Sequence, residues 1–341
     1  MIDIRSDTVT RPTPALLEAM MQAQVGDDVF GEDPTVNALQ DKAAALFGME
    51  AALFCPSGTM TNQIGIKVHT RPGDEVICSE QAHIYLFEGG GIAANAGASV
   101  RLLAGQNGFF DAAQVRQNIN ARDDSHHAWS RLVAVENTVN RGGGGCWALA
   151  ELSRIRALCK DTGLALHLDG ARLFNALVAR GESPPQHGCL FDTISICLSK
   201  GLGAPAGSLL LGSKAQIARA HRYRKAMGGG MRQAGYLAAA GLYALDHHVE
   251  RLAEDHANAR AVGEALAAQP YVEQLYPVET NIVVFTLRPP LSAQAYLAYL
   301  QNHDVQALSF DSQTVRFVFH LDVSNTAVDR LLTVIGGFRQ R

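Results

Sequence analysis

Three short stretches of this sequence place reactive or charged side chains where an apolar run stops. Lys200 follows TISICLS (193–199) and precedes Gly201, Leu202 and Gly203; Asp169 ends LALHLD (164–169); Ser57-Gly58-Thr59 follows AALFC (51–55) and opens a helical pattern. A lysine attacks a carbonyl only when its amine is kept deprotonated, which a desolvated position at the mouth of a rigid element favours. Of the six lysines, Lys42, Lys160 and Lys214 fall in amphipathic helical stretches and Lys67 ends a helix, whereas glycines let backbone approach Lys200 closely. By itself Lys200 reads equally well as an ordinary loop lysine. Asp169 ends a run too apolar to solvate it, so its charge needs a partner. A protonated pyridine nitrogen is one, and the pair would make an electron sink for a carbanion. The alternative is a helix N-cap before Gly170-Ala171-Arg172. The N–H groups and hydroxyls of Ser57-Gly58-Thr59 would hold a phosphate at a helix start, although a Ser or Thr cap there is commonplace.

The elements that must carry these residues alternate between strand and helix. From about residue 35 to 245, apolar runs (51–55, 74–78, 100–104, 131–136, 164–169, 193–199, 207–212) are separated by helical patterns (59–68, 111–118, 148–162, 213–226, 232–247). That alternation predicts an α/β domain with a mainly parallel sheet. Ligands of such sheets bind beyond the carboxyl ends of the strands, which gathers Ser57, Asp169 and Lys200 into one constellation. After residue 246 come a long charged helix, several short strands and a final helix, a smaller α+β domain. The expected division is an N-terminal arm over 1–25, a large domain over 26–245 and a small one over 246–341.

Bulk properties exclude several classes. The 341 residues are 47% hydrophobic and 18% charged with a net charge of −4, so nucleic acid finds no basic patch and is not expected as a partner. No stretch reaches the ~18 apolar residues of a membrane span and no signal peptide is apparent, so the chain reads as cytoplasmic and mature from Met1. Six cysteines without C-x-x-C or metal spacing read as reduced core residues. Gly89-Gly90-Gly91-Ile92-Ala93-Ala94 fits a loose dinucleotide pattern, but no buried strand precedes it.

The three stretches lie within six blocks: IDIRSDTVTRPTPALLEAM, VGDDVFGEDPTVNALQ, FCPSGTMTNQIG, HLDGARLFNA, CLSKGLGAPAGSLLLG and RKAMGGGMRQAGYLAAAGLYAL. On these the sequence resembles the low-specificity L-threonine aldolase family, lyases of the fold type I, aspartate-aminotransferase-like architecture, over nearly the whole chain. The resemblance implies pyridoxal 5'-phosphate as cofactor, with Lys200 holding it as a Schiff base, Asp169 on the pyridinium nitrogen, and Ser57, Gly58 and Thr59 on the phosphate. It implies that His83, in SEQAHIYLFE, stacks on the ring near the substrate hydroxyl, and that Ser6, Arg172 and Arg316 hold the substrate carboxylate. Lys225 and Arg232 flank a glycine loop that, in similar proteins, approaches the cofactor of a neighbouring subunit, which implies a homodimer, usually paired again into a homotetramer.

The implied reaction is retro-aldol cleavage of L-threonine, L-allo-threonine and related β-hydroxy-α-amino acids to glycine and an aldehyde. His83, directly or through water, is the candidate base, and no metal is required. Other reactions of the fold, β-elimination or transamination, are the rivals. Two positions depart from many members: Val139 stands where histidine is frequent, and Phe30 where tyrosine is. Val139 leaves the β-hydroxyl to His83 or water, which predicts weak discrimination at Cβ, roughly tenfold to thirtyfold between threonine and allo-threonine.

Overall fold

A computed structural model describes residues 1–339. Its centre is a seven-stranded sheet in the order Ala51–Cys55, Ser208–Gly212, Thr193–Cys197, Ala165–Gly170, Trp129–Glu136, Asp74–Ser79, Ser99–Leu103. All seven strands lie within two residues of the apolar runs of the sequence. Only Ser208–Gly212 runs antiparallel to its neighbours. The ten residues 198–207 that link it to Thr193–Cys197 leave no room for a crossover helix, so the chain turns straight back. Lys200 lies in that return.

Helices cover both faces of the sheet, as continuous apolar strands such as Thr193–Cys197 require. Helix Gly58–His69 leaves the end of Ala51–Cys55, and its first turn is closed by the Ser57 hydroxyl accepting from Met60 N–H at 3.2 Å. Helix Leu173–Arg180 leaves the end of Ala165–Gly170, and its cap position is Arg172, not Asp169. An unforeseen helix, Pro14–Met21, interrupts the N-terminal arm, with Thr13 as cap and Pro14 at its first position.

The charged helical stretch expected from about residue 247 begins only at Leu252. Helix Gly235–His247 stops because His248 turns inward, its Nδ1 2.7 Å from the carbonyl of Leu202. That contact ties the helix end to the Lys200 turn.

A four-stranded antiparallel sheet (Leu308–Ser309, Thr314–Val318, Ile282–Leu287, Val272–Leu275) forms a second centre of packing. Strand Ile2–Asp3 pairs parallel with Val305–Gln306, so Ile2 and Ile4 are buried in the same core as Phe285, Tyr296 and Phe317. The N-terminal arm is thereby held across the sequence-distant C-terminal part. Five cysteines are buried and all six are unpaired; Cys189 is exposed and so is no core residue. Among the described residues no helix is long and apolar enough to cross a membrane.

Candidate active site

The sheet delivers its functional side chains at the carboxyl ends of the parallel strands. Glu136 and Asp169 are register partners on neighbouring strands, and Asp169 in turn is paired with Ser195, five residues before Lys200. The return bearing Lys200 is pinned by Gly203 N–H donating to Lys200 O at 2.8 Å and by Ala204 N–H donating to Leu198 O at 3.1 Å. Gly203 has φ of 79°, a left-handed conformation that glycine adopts without strain.

Asp169 is 2% exposed and accepts hydrogen bonds from neutral donors, Asn62 Nδ2 at 2.9 Å and Ala171 N–H at 3.1 Å. The arrangement extends on both sides. Asn62 also donates to Glu88 Oε1 at 2.9 Å, and Glu88 Oε1 lies 3.0 Å from His83 Nδ1. With both amide hydrogens of Asn62 directed at carboxylates, its Oδ1 must accept, so the proton of His167 sits on Nε2, 3.2 Å away. His167 Nδ1 then accepts from Thr193 Oγ1 at 2.9 Å, and Thr193 Oγ1 accepts from His69 Nε2 at 3.0 Å. Every donor in this buried chain points towards Asp169 and Glu88. Burial pushes the imidazoles of His167 and His69 down to about 4, which keeps both neutral. Gly65 makes the room: a Cβ there would lie 2.6 Å from His167 Cε1.

His83 opens the short helix His83–Leu86. The Glu136 carboxylate accepts from His83 N–H at 2.6 Å and from Asn140 N–H at 2.8 Å, joining the two loops that flank the site. Burial raises the Glu136 carboxyl above the ordinary range, with Asp169 adding to the effect. Burial disfavours the charged form of His83, but Glu88, Asp169 and Glu136 outweigh it and raise the imidazole. With Nδ1 held by Glu88, Nε2 is the nitrogen left for chemistry.

In front of these groups lies a cavity of about 390 Å³ whose lining includes Ser6, His83, Arg172, Lys200 and Arg316. Five of the residues singled out in the sequence are thus brought together. Arg172 does not enter it with a free fork: its Nε and Nη2 each donate to the Asp7 carboxylate at 2.7 Å, which leaves Nη1. Burial opposes the Asp7 charge, yet Arg172, helped by Lys200 and Arg316, holds its carboxyl down at about 2. Arg316 donates only to neutral oxygens, Asn140 Oδ1 at 2.7 Å and the Arg5 carbonyl at 2.9 Å, and its buried Nε has no partner. Burial, with Arg172 and Arg141 nearby, lowers the Arg316 guanidinium to about 10, so it stays charged at neutral pH.

Ser57, Gly58, Thr59 and Asp169 lie outside the lining of the cavity. Arg232 does too: it donates to Asp27 Oδ2 at 2.8 Å and lies over the Phe30 ring, which is 72% exposed. Val139, expected to face the β-hydroxyl, is buried against two glycines instead. A Cβ on Gly108 or Gly142 would lie 2.7 or 3.1 Å from its Cγ1. Val139 is thus not among the residues that line the cavity. Asp7, Asn62, Glu88, Glu136 and Asn140 were not singled out in the sequence, although Asp7 adjoins Ser6 and both Asn62 and Glu88 follow named residues within a turn or so.

Comparison with known proteins gives the family. The family model described as "Beta-eliminating lyase" matches residues 3–289. A low specificity L-threonine aldolase of Escherichia coli is 46% identical over 327 residues, 95% of each chain. The chain belongs to the low-specificity L-threonine aldolase family. The enzyme is therefore a lyase. A Saccharomyces cerevisiae member is 39% identical over 84% of this chain and 74% of its own length. Among solved structures, a threonine aldolase of Leishmania major superposes with a TM-score of 0.84 at 23% identity, covering 98% of this chain and 99% of that one. A serine palmitoyltransferase of Sphingomonas wittichii superposes with a TM-score of 0.75 at 16% identity, over 98% and 86% of the chains. At such identities these two likenesses speak for the fold, that of fold type I enzymes.

Proposed function

We propose that the protein cleaves L-threonine, L-allo-threonine and related β-hydroxy-α-amino acids to glycine and an aldehyde, using pyridoxal phosphate held by Lys200. The observation that carries the reading is Asp169, a buried carboxylate with only neutral hydrogen-bond donors around it, one strand from the Lys200 return. A pyridinium nitrogen is the partner that such a charge lacks. Ser57 satisfies Met60, so helix Gly58–His69 offers the N–H groups of Gly58 and Thr59 to a phosphate. When bound, the cofactor supplies the carbonyl that takes up the substrate amine and the ring that receives the electron pair of the broken bond.

The chain's own residues do the rest. Lys200 would hold the cofactor through its side-chain amine. Arg316, with the free Nη1 of Arg172 and the Ser6 hydroxyl, grips the substrate carboxylate and so fixes which bond at Cα is cleaved. His83 Nε2 takes the β-hydroxyl proton while Glu88 holds the ring in place. Lys225 and Arg232, at the surface of the single chain, would serve the cofactor of a second copy in a dimer or tetramer. The arm, large and small domains would keep the boundaries 1–25, 26–245 and 246–341, and unpaired cysteines suit a cytoplasmic protein.

The test is to incubate the purified protein with L-threonine and assay acetaldehyde. We expect turnover by the wild type and none by Lys200→Ala, with borohydride reduction tagging Lys200 alone. Tagging of a different lysine would overturn the assignment.

A further inference from the structure

The cavity carries more positive charge than a monocarboxylic substrate can answer. Its lining includes Arg141, Arg172, Lys200 and Arg316 and no carboxylate. Arg172 is neutralised by Asp7, and Lys200 is committed to the cofactor in the function proposed above. Arg316 takes the substrate's α-carboxylate. Arg141 remains. Its guanidinium carbon lies 4.8 Å from the centre of the Phe310 ring, and that of Arg316 lies 5.2 Å from the same ring. Phe310 thus attracts both guanidinium groups at the cavity wall through its π system, and Arg141 acts electrostatically on Arg316.

Among the described residues neither Arg141 nor Arg316 has a carboxylate partner within ion-pair distance. Arg141 acts on Asp311, which is exposed and already accepts the N–H groups of Gln313 and Thr314 at 2.8 and 2.7 Å. The turn 57–59, which suits a phosphate, is not part of this wall, so a cofactor phosphate there does not answer Arg141 either. Two like charges in one part-buried cavity repel, and a ligand with two anionic groups relieves that.

We infer that Arg141 forms a subsite for a second carboxylate, so that β-hydroxy-α-amino acids carrying a carboxylate on Cβ are substrates of this enzyme. The simplest is L-β-hydroxyaspartate. This rests on the aldol-cleavage reading. In its cleavage the Cα–Cβ bond breaks with its electron pair remaining at Cα, the β-hydroxyl proton leaves to His83, and Cα takes a proton. The products are glycine and glyoxylate, with no change of oxidation state overall. Arg141 touches only the β-carboxylate and acts on selection between substrates.

The test compares kcat/KM for β-hydroxyaspartate with that for threonine in the wild type, Arg141→Gln and Arg141→Lys. A charge-assisted contact of ordinary strength predicts that the ratio falls roughly 10- to 100-fold in Arg141→Gln and less in Arg141→Lys. A second measurement, independent of turnover, is calorimetric binding of L-aspartate against L-alanine to the holoenzyme. Preference for aspartate in the wild type, lost in Arg141→Gln, supports the subsite. A substrate ratio or a binding preference untouched by Arg141→Gln overturns it. If neither amino acid is cleaved by the wild type, the aldolase reading fails, and the binding comparison still decides on Arg141.

Discussion

Two regions of this molecule handle buried charge in opposite ways. Behind the strand ends, Asn62, His167, Asp169 and Glu88 are joined by hydrogen bonds whose donors run in one direction. In the cavity in front, Arg141 and Arg316 have no carboxylate, and Arg316 keeps a buried Nε without a partner. In the first region the fold itself supplies the hydrogen bonds and only the Asp169 charge awaits a partner; the second is completed by something the fold does not contain. Unmatched charge at a cavity wall marks a receptor, whereas a chain of satisfied hydrogen bonds behind it marks the support that holds the receptor's groups in place.

The largest test of this contrast is Asp169→Asn. Both carboxylate oxygens accept hydrogen bonds, from Asn62 and from Ala171, so an asparagine must turn its NH₂ towards a donor. We expect kcat to fall on the order of 10²- to 10³-fold, as when a preorganised electrostatic group is lost. We also expect about 1–3 kcal/mol of stability to go, from the mismatched donors. A variant with full stability and full turnover would show that the network does not depend on the charge.

A smaller effect is expected from Val139→His. The imidazole must enter the space against Gly108 and Gly142, at about 1–3 kcal/mol for overpacking. The ratio of kcat/KM for threonine and allo-threonine should stay within about threefold of the wild type. A large change in that ratio would place residue 139 at the substrate after all.

The smallest and most distributed effect is acid sensitivity. His69, His167 and His256 are held neutral by burial, each down to about 4, against 6.5 when unfolded. Their folded forms resist protonation that the unfolded chain accepts. Stability is therefore complete above about pH 6.5 and is lost as pH falls towards 4, with a slope of up to ~1.4 kcal/mol per pH unit for each histidine. Asp7 acts in a lower window, losing its contribution only as pH falls from about 4 towards 2. Urea midpoints measured at pH 7, 6 and 5 should fall progressively, and His167→Gln should flatten the slope. A midpoint independent of pH would contradict neutral burial.

Much of the site was legible because strand ends are legible. The apolar runs 164–169 and 193–199 end at Asp169 and within a residue of Lys200, and the hydrophobic period that marks a strand also marks where its carboxyl end must be. Arg172 was legible by type but not by state, since nothing local announces that Asp7, 165 residues away, takes two of its donors. Val139 was misjudged for a related reason. Its position in the chain says which loop it joins, but the direction of its side chain depends on Gly108 and Gly142 closing around it.

The sequence by itself determined the order of strands and helices, the glycine-flanked lysine, and the aspartate whose apolar surroundings demand a partner. These follow from hydrophobic period and from the cost of burying charge, both of which act over a few residues. Tertiary structure alone decided the tautomer of His167, the pairing of Asp7 with Arg172 and the placing of Arg141 beside Arg316 on one ring. Each depends on atoms brought together from distant parts of the chain, and hydrogen bonds and ion pairs are settled by geometry at about 3 Å, a scale that no local pattern encodes.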